Sequence, residues 1–207
     1  MMKFAYFNPT IMSVDEMADS AYVRLKDLAD KAHAETTQND DGNPTLSVRG
    51  GSQVHLFPDD FNLGLDIKPL KDYVEGACRE FLANVISTSG RTELEGFEPV
   101  LISAWTIRQN PGDYQALHNH EAHISGVSYI DVPDFENERD SDGCIEFRFP
   151  VIRNPANLIF VDQWRYKPEP KTSVIFPSYL SHGVYPWQGQ GYRTCIAWDV
   201  QLVSKST

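Results

Sequence analysis

The stretch PVLISAWTIRQNPGDYQALHNH, residues 99–120, decides the fold. Residues 99–109 are rich in β-branched and aromatic side chains, which suit a pleated, half-buried surface. Asn110-Pro111-Gly112-Asp113 then carries the residue types that close a turn. Residues 114–120 resume as a second strand. Working outward, the same alternation of short apolar runs and turn clusters predicts strands at 124–132, 144–149, 157–161, 172–176, 183–187 and 192–203. Together these make eight short strands with no helix between them. That pattern predicts a jelly roll, the cupin-like double-stranded β-helix.

Upstream the period changes from two to about 3.6. Met17, Ala21, Leu25, Leu28, Ala29 and Ala32 recur at helical spacing, which predicts a helix over 13–36. Ser13 followed by Glu16 has the form of a capping box at its start. Leu70, Val74, Ala77, Cys78, Phe81 and Leu82 predict a second helix over 67–86. Residues 38–44 read as a loop, and 45–57 as one short strand. The expectation is a mainly β chain with flanking N-terminal helices that cover an outer sheet face. Residues 1–207 form one domain in this reading, with 1–90 as a helical support region and 91–207 as the β-helix core. The acidic stretch 134–142 reads as a solvated loop.

Composition narrows the function classes. The chain has 207 residues, a formal net charge of −11, 41% hydrophobic residues and 12% aromatic residues, which fits a globular protein rather than a disordered one. Nucleic acid is not expected as a partner, because such binding needs Lys and Arg to neutralise phosphates. Cys78, Cys144 and Cys195 are odd in number, well spread and free of any CxxC spacing, so they are expected to be reduced core residues of a cytoplasmic protein. The first residues lack the apolar core of a signal peptide, with Asp15 and Glu16 arriving early, and no apolar run is long enough to span a membrane. An edge strand or the N-terminal helices are where a homodimer would form.

The chemistry gathers in His118, His120, His182 and Arg193. Residues two apart on an extended strand project from one face, so His118 and His120 point together. Facial iron sites usually join two histidines and one carboxylate, leaving positions for co-substrate and oxygen. Here His120 occupies the place of the carboxylate. Either His118, His120 and His182 form a three-histidine site, or Glu121 bends in as the alternative ligand. Alternation puts Glu121 on the opposite face from His118, which favours three histidines. His123 is a further candidate, while His33 and His55 stand alone and read as ordinary. A single histidine is more often a surface or satisfied core group; three within six positions, beside a turn, are harder to read that way.

Arg193 sits among residues that read as core, and a guanidinium buried without a partner is costly. A planar carboxylate suits it, since arginine can grip both oxygens. An internal salt bridge to Asp199 or Glu146 is the plain alternative. If the acid is 2-oxoglutarate, one end would chelate the metal and the far carboxylate would reach Arg193, with Tyr129 and Thr194 as added hydroxyl donors.

Trp105, Gly112-Asp113, His118-x-His120, Ser125-Gly126-Val127-Ser128-Tyr129, Phe176-Pro177-Ser178, His182 and Arg193 together resemble the 2-oxoglutarate and Fe(II)-dependent oxygenases of bacteria and phages, relatives of the prolyl-hydroxylase-like enzymes. The resemblance covers residues 99–202 and, more faintly, 47–53. It implies a double-stranded β-helix, Fe(II) held by the histidines, and 2-oxoglutarate held by the late arginine. It thus implies a dioxygenase that hydroxylates a substrate the sequence does not identify, with 2-oxoglutarate and dioxygen as small-molecule partners. The chain departs from the pattern at Glu121, where relatives commonly carry proline, and from the His-x-Asp/Glu of the wider superfamily.

Two other readings compete. A cupin-type metalloenzyme not using 2-oxoglutarate matches Gly112, His118, His120 and His182. However, no Glu lies three to five residues beyond His120, and Arg193 is left without a task. A non-catalytic metal-binding jelly-roll module would hold a closed, four-ligand site, and only three good ligands are at hand.

Overall fold

The computed structural model describes residues 11–36, 48–49, 52–57, 64–136, 139–149 and 162–205. Among the described residues the elements run β1 (Ser13–Glu16), α1 (Asp19–Thr36), β2 (Val48–Arg49), β3 (Ser52–Phe57), α2 (Lys68–Ser89), β4 (Phe97–Gln109), β5 (Tyr114–His118), β6 (Ile124–Asp131), β7 (Ile145–Arg148), β8 (Gln163–Tyr166), β9 (Thr172–Pro177), β10 (Ser181–Val184) and β11 (Arg193–Ser204). A short 3-10 helix, Thr92–Gly96, leads from α2 into β4.

The strands form two antiparallel sheets, one of six strands in the order β1-β9-β6-β11-β4-β3 and one of five in the order β2-β5-β10-β7-β8. Ile107, Val127, Val174, Phe176 and Cys195 of the larger sheet pack with Ile145, Phe147 and Val184 of the smaller. This is the expected jelly roll. The larger sheet is buried on both faces. On its outer side Leu25, Leu28 and Ala29 of α1 and Leu70, Val74, Cys78, Phe81 and Leu82 of α2 meet Ala104, Ile130, Ile196 and Trp198. The helices therefore cover an outer sheet face, as the 3.6-residue spacing of their apolar positions requires.

β11 shows how the alternation positions the site. Cys195 and Ala197 face the inter-sheet space, while Ile196, Trp198 and Val200 face the helices. Trp198 can lie flat across β6 because residue 126 is glycine: a Cβ there would run into the indole ring. α2 stops at Gly90, whose positive φ of 72° lets its N–H reach back to Ile86 O at 2.8 Å.

Several expectations need correction. Residues 13–16 are not the first turn of a helix: they pair as β1 with β9, Ser13 opposite Ile175 and Glu16 opposite Thr172. The unpaired edge of β9 supplies backbone partners that outweigh the local capping pattern. The segment 45–57 yields two strands rather than one, β2 on the smaller sheet and β3 on the larger. β8 was not expected, and the strand expected at 157–161 lies outside the described residues. β5 ends at His118, two residues short of expectation, and β10 begins at Ser181, earlier than the predicted 183. Among the described residues no helix is long and apolar enough to cross a membrane.

Candidate metal centre and co-substrate cavity

His182 lies opposite His118 where β10 pairs with β5. His120 follows just past the end of β5, where its N–H donates to Ser178 O at 3.1 Å. The ring centroids stand 4.3 Å apart for His118 and His182, 5.1 Å for His118 and His120, and 5.2 Å for His120 and His182. One nitrogen from each ring falls within 4.8 Å of the others. Glu121 is exposed and stands outside this group. His123 is also outside it, and its Nδ1 accepts from the Leu202 N–H at 3.0 Å.

The hydrogen bonds select which nitrogen each ring offers. His118 Nδ1 is 2.8 Å from Ala116 O and His182 Nδ1 is 2.9 Å from Leu180 O. Carbonyl oxygens only accept, so both Nδ1 atoms carry the proton. His120 Nδ1 is 2.9 Å from Asp199 Oδ2, again an acceptor. In each ring Nε2 is therefore the nitrogen left to offer to a metal. His120 Nε2 is buried and meets no hydrogen-bond partner among the described residues. Burial, then the neighbouring His118, pushes His182 down to about 3. Burial also lowers His118. Burial thus holds the His118 and His182 rings in the neutral form that can ligate.

The same cavity, lined also by Trp105, Gln109, Val127 and Tyr129, reaches Arg193. Arg193 is 1% exposed, so its charge is almost wholly desolvated. Its Nη1 donates to Gly143 O at 2.7 Å and its Nη2 to Gln109 Oε1. Both acceptors are neutral, and among the described residues no carboxylate pairs with it. The salt-bridge alternative is not realised: Asp199 is committed to His120 and Ser125, and Glu146 to Arg148, Arg165 and Tyr185. Arg193 Nε and Gln109 Nε2 both lack partners, so two buried donors wait for an acceptor. Tyr129 is buried beside them, and burial raises its phenol far enough that it stays protonated, able to donate.

The residues expected from sequence thus divide. His118, His120, His182, Tyr129 and Arg193 share one cavity. Thr194 does not join them: alternation turns it to the other face of β11, where its Oγ1 accepts from Arg108 Nε at 3.4 Å. Gln109 and Asp199 were missed as parts of the site. Gln109 stands opposite Arg193 in the β11–β4 ladder, and Asp199 opposite Ser125 in the β11–β6 ladder. Neither adjacency can be read along the chain. Trp105 stacks on His120 at 5.4 Å, and His55, read as ordinary, has its ring 6.3 Å from Trp105.

Among protein families, residues 103–199 match the model of the 2OG-Fe(II) oxygenases, where 2OG is 2-oxoglutarate. This segment, a little under half of the chain, is similar to that family. The oxygenase fold recurs in solved structures. A prolyl-4-hydroxylase of Pseudomonas putida is 16% identical with a TM-score of 0.57, covering 93% of each chain. A viral collagen prolyl hydroxylase from Paramecium bursaria Chlorella virus-1, solved as a 2OG complex, is 16% identical with a TM-score of 0.53, over 92% of this chain and 96% of that one. HygX of Streptomyces hygroscopicus, with nickel, 2-oxoglutarate and hygromycin B bound, is 12% identical with a TM-score of 0.52, over 93% and 83%. At these identities the likeness is one of fold. No curated protein matches the chain. The family's cofactors are Fe(II) and 2-oxoglutarate, and the site fits both. Three free imidazole nitrogens suit iron, and an unpaired buried guanidinium suits a carboxylate.

Proposed function

We propose that the chain is a 2-oxoglutarate- and Fe(II)-dependent dioxygenase that hydroxylates a substrate yet to be identified, with His118, His120 and His182 as the iron ligands and Arg193 as the anchor of the co-substrate. The observation that carries this reading is the pairing, in one cavity, of three converging imidazoles, one nitrogen from each within 4.8 Å of the others, with a buried arginine that has only neutral partners among the described residues. When bound, Fe(II) supplies the redox chemistry by which dioxygen and 2-oxoglutarate are consumed and a C–H bond is hydroxylated.

The chain's own residues do the positioning. Hydrogen bonds to Ala116 O, Leu180 O and Asp199 fix the three imidazoles in the tautomer that ligates. Arg193, held by Gly143 O and Gln109, would offer its unpartnered Nε to the distal carboxylate, and the Tyr129 hydroxyl would be a second donor to the same group. Walls of Ile107, Val127, Phe176 and Val184 keep water from the reacting centre and strengthen these charge interactions. The three cysteines are free and buried, which supports a reducing, cytoplasmic setting. Residues 1–207 act as one domain in this proposal.

The test is an anaerobic titration of the apo protein with Fe(II) and then 2-oxoglutarate, followed by visible absorption. A charge-transfer band that requires both is expected. Iron binding without that band would point to a cupin-type enzyme, and no iron binding to a passive module.

A further inference from the structure

Of the three histidines, His120 alone is anchored by a charged group. His118 and His182 donate from Nδ1 to backbone carbonyls two residues back in the chain, whereas His120 donates to the Asp199 carboxylate, 2.9 Å away on β11. His120 is also the one ring carried beyond the strand ladder, past the end of β5. Facial iron sites usually bring one negative charge to the metal through a carboxylate ligand. With His120 in that position the three ligands are neutral, and the charge is missing from the metal's immediate surroundings.

Asp199 is itself built in. Its Oδ1 accepts from Ser125 Oγ at 2.6 Å, Ser125 Oγ lies 2.8 Å from Ser178 Oγ, and Ser178 O accepts the backbone N–H of His120 at 3.1 Å. The bonds therefore close a ring from the backbone of His120 to its own imidazole. Ser125 is 1% and Ser178 0% exposed, so water does not compete along this path. An acceptor on Nδ1–H raises the basicity of Nε2, and a carboxylate does so more strongly than a carbonyl.

Building on the three-histidine reading, we propose that Asp199 is a positioning residue that returns the missing negative charge through His120, with Ser125 and Ser178 holding it in register. The metal would then experience two ordinary imidazoles and one with partial imidazolate character.

The test compares the wild type with Asp199→Asn and Ser125→Ala. Asparagine keeps an acceptor for His120 Nδ1 and removes only the charge. Anaerobic Fe(II) binding by chelator competition is expected to weaken 10- to 100-fold in Asp199→Asn, about the range seen when such outer partners are lost. The urea midpoint of the apo protein should hold, and the visible bands of the Co(II)-loaded protein should shift. Ser125→Ala, which loosens the carboxylate without removing its charge, should lose less affinity. Wild-type affinity and unshifted Co(II) bands in Asp199→Asn would overturn the proposal. So would a loss of affinity that merely tracks a loss of apo stability in both variants. Wild-type protein that binds neither Fe(II) nor Co(II) would overturn the three-histidine reading first, and this proposal with it.

Discussion

Arg193 donates to Gln109 inside the cavity, and in the proposed function their variants are expected to separate co-substrate binding from metal binding. Removing the guanidinium with Arg193→Ala should weaken 2-oxoglutarate binding by about 100-fold or more, the scale of a lost buried charge-assisted contact. Fe(II) affinity should be unchanged, because no imidazole bonds to Arg193. A titration of the Fe(II)-loaded protein with 2-oxoglutarate measures both. Wild-type co-substrate affinity would remove Arg193 from the role. Gln109→Glu is the subtler case. It would set a carboxylate where Gln109 Oε1 now accepts from Arg193 Nη2, giving the arginine an internal counter-ion. Co-substrate affinity is expected to fall at least about 10-fold by the same titration, since the incoming carboxylate would compete with a built-in one and meet its repulsion. Part of the candidate site was legible in the chain: spacing singled out His118, His120, His182 and Arg193, and these line one cavity. Gln109 and Asp199 were not, because each reaches the site through a cross-strand neighbour.

Two elements carry tests of their own. α1 is fastened to β4 by His33, whose Nε2 lies 3.1 Å from Thr106 Oγ1 and whose Nδ1 lies 3.3 Å from Ser52 Oγ. Thr106 gives its proton to Cys195 O, so it accepts from His33 Nε2–H, and Nδ1 is left to accept from Ser52. Burial first, then the positive Arg108, lowers His33 from 6.5 to about 4. The unfolded chain therefore binds this proton at higher pH than the folded one. Stability from the neutral ring is complete above about pH 6.5 and is lost as pH falls towards 4, by an amount on the order of 3 kcal/mol. Urea unfolding across that window should show the decline, and His33→Phe should flatten it. The second test is in β6. Gly126→Ala drives a Cβ into Trp198, which is fully buried and tied by its Nε1–H to Ser128 Oγ at 3.1 Å. A cost of about 1–3 kcal/mol is expected from urea unfolding, the usual range for overpacking. The periodicity of α1 and α2 was plain in the sequence, and so was most of the strand pattern. The exception at Ser13–Glu16 has a clear cause: the segment carries a helix-start pattern, but the edge of β9 is what it meets.

Over the whole molecule, the six-stranded sheet separates two tasks. Its inner face carries the cavity and its outer face carries the helices, so damage on one side should leave the other working. Leu70 is fully buried between α2 and the sheet. Leu70→Ala should cost about 2–5 kcal/mol of stability, the range for a buried leucine replaced by alanine. Fe(II) affinity of the folded fraction should stay within about twofold of wild type, as judged by urea unfolding alongside metal titration. A large loss of metal affinity would show that the two faces are coupled. The first ninety residues do more than supply helices, since β1 and β3 edge the larger sheet and β2 edges the smaller. The sequence by itself determined the periods of helix and strand, the turns between them, and the presence of three histidines and a late arginine at spacings a jelly roll can use. Those features are local, and side-chain period and turn chemistry write them into neighbouring residues. Tertiary structure alone decided that Gln109 faces Arg193, that Asp199 anchors His120 through a ring of hydrogen bonds, and that Thr194 turns away. Such choices depend on strand register, which pairs residues far apart in the chain and shifts every side chain to the other face if it slips by one.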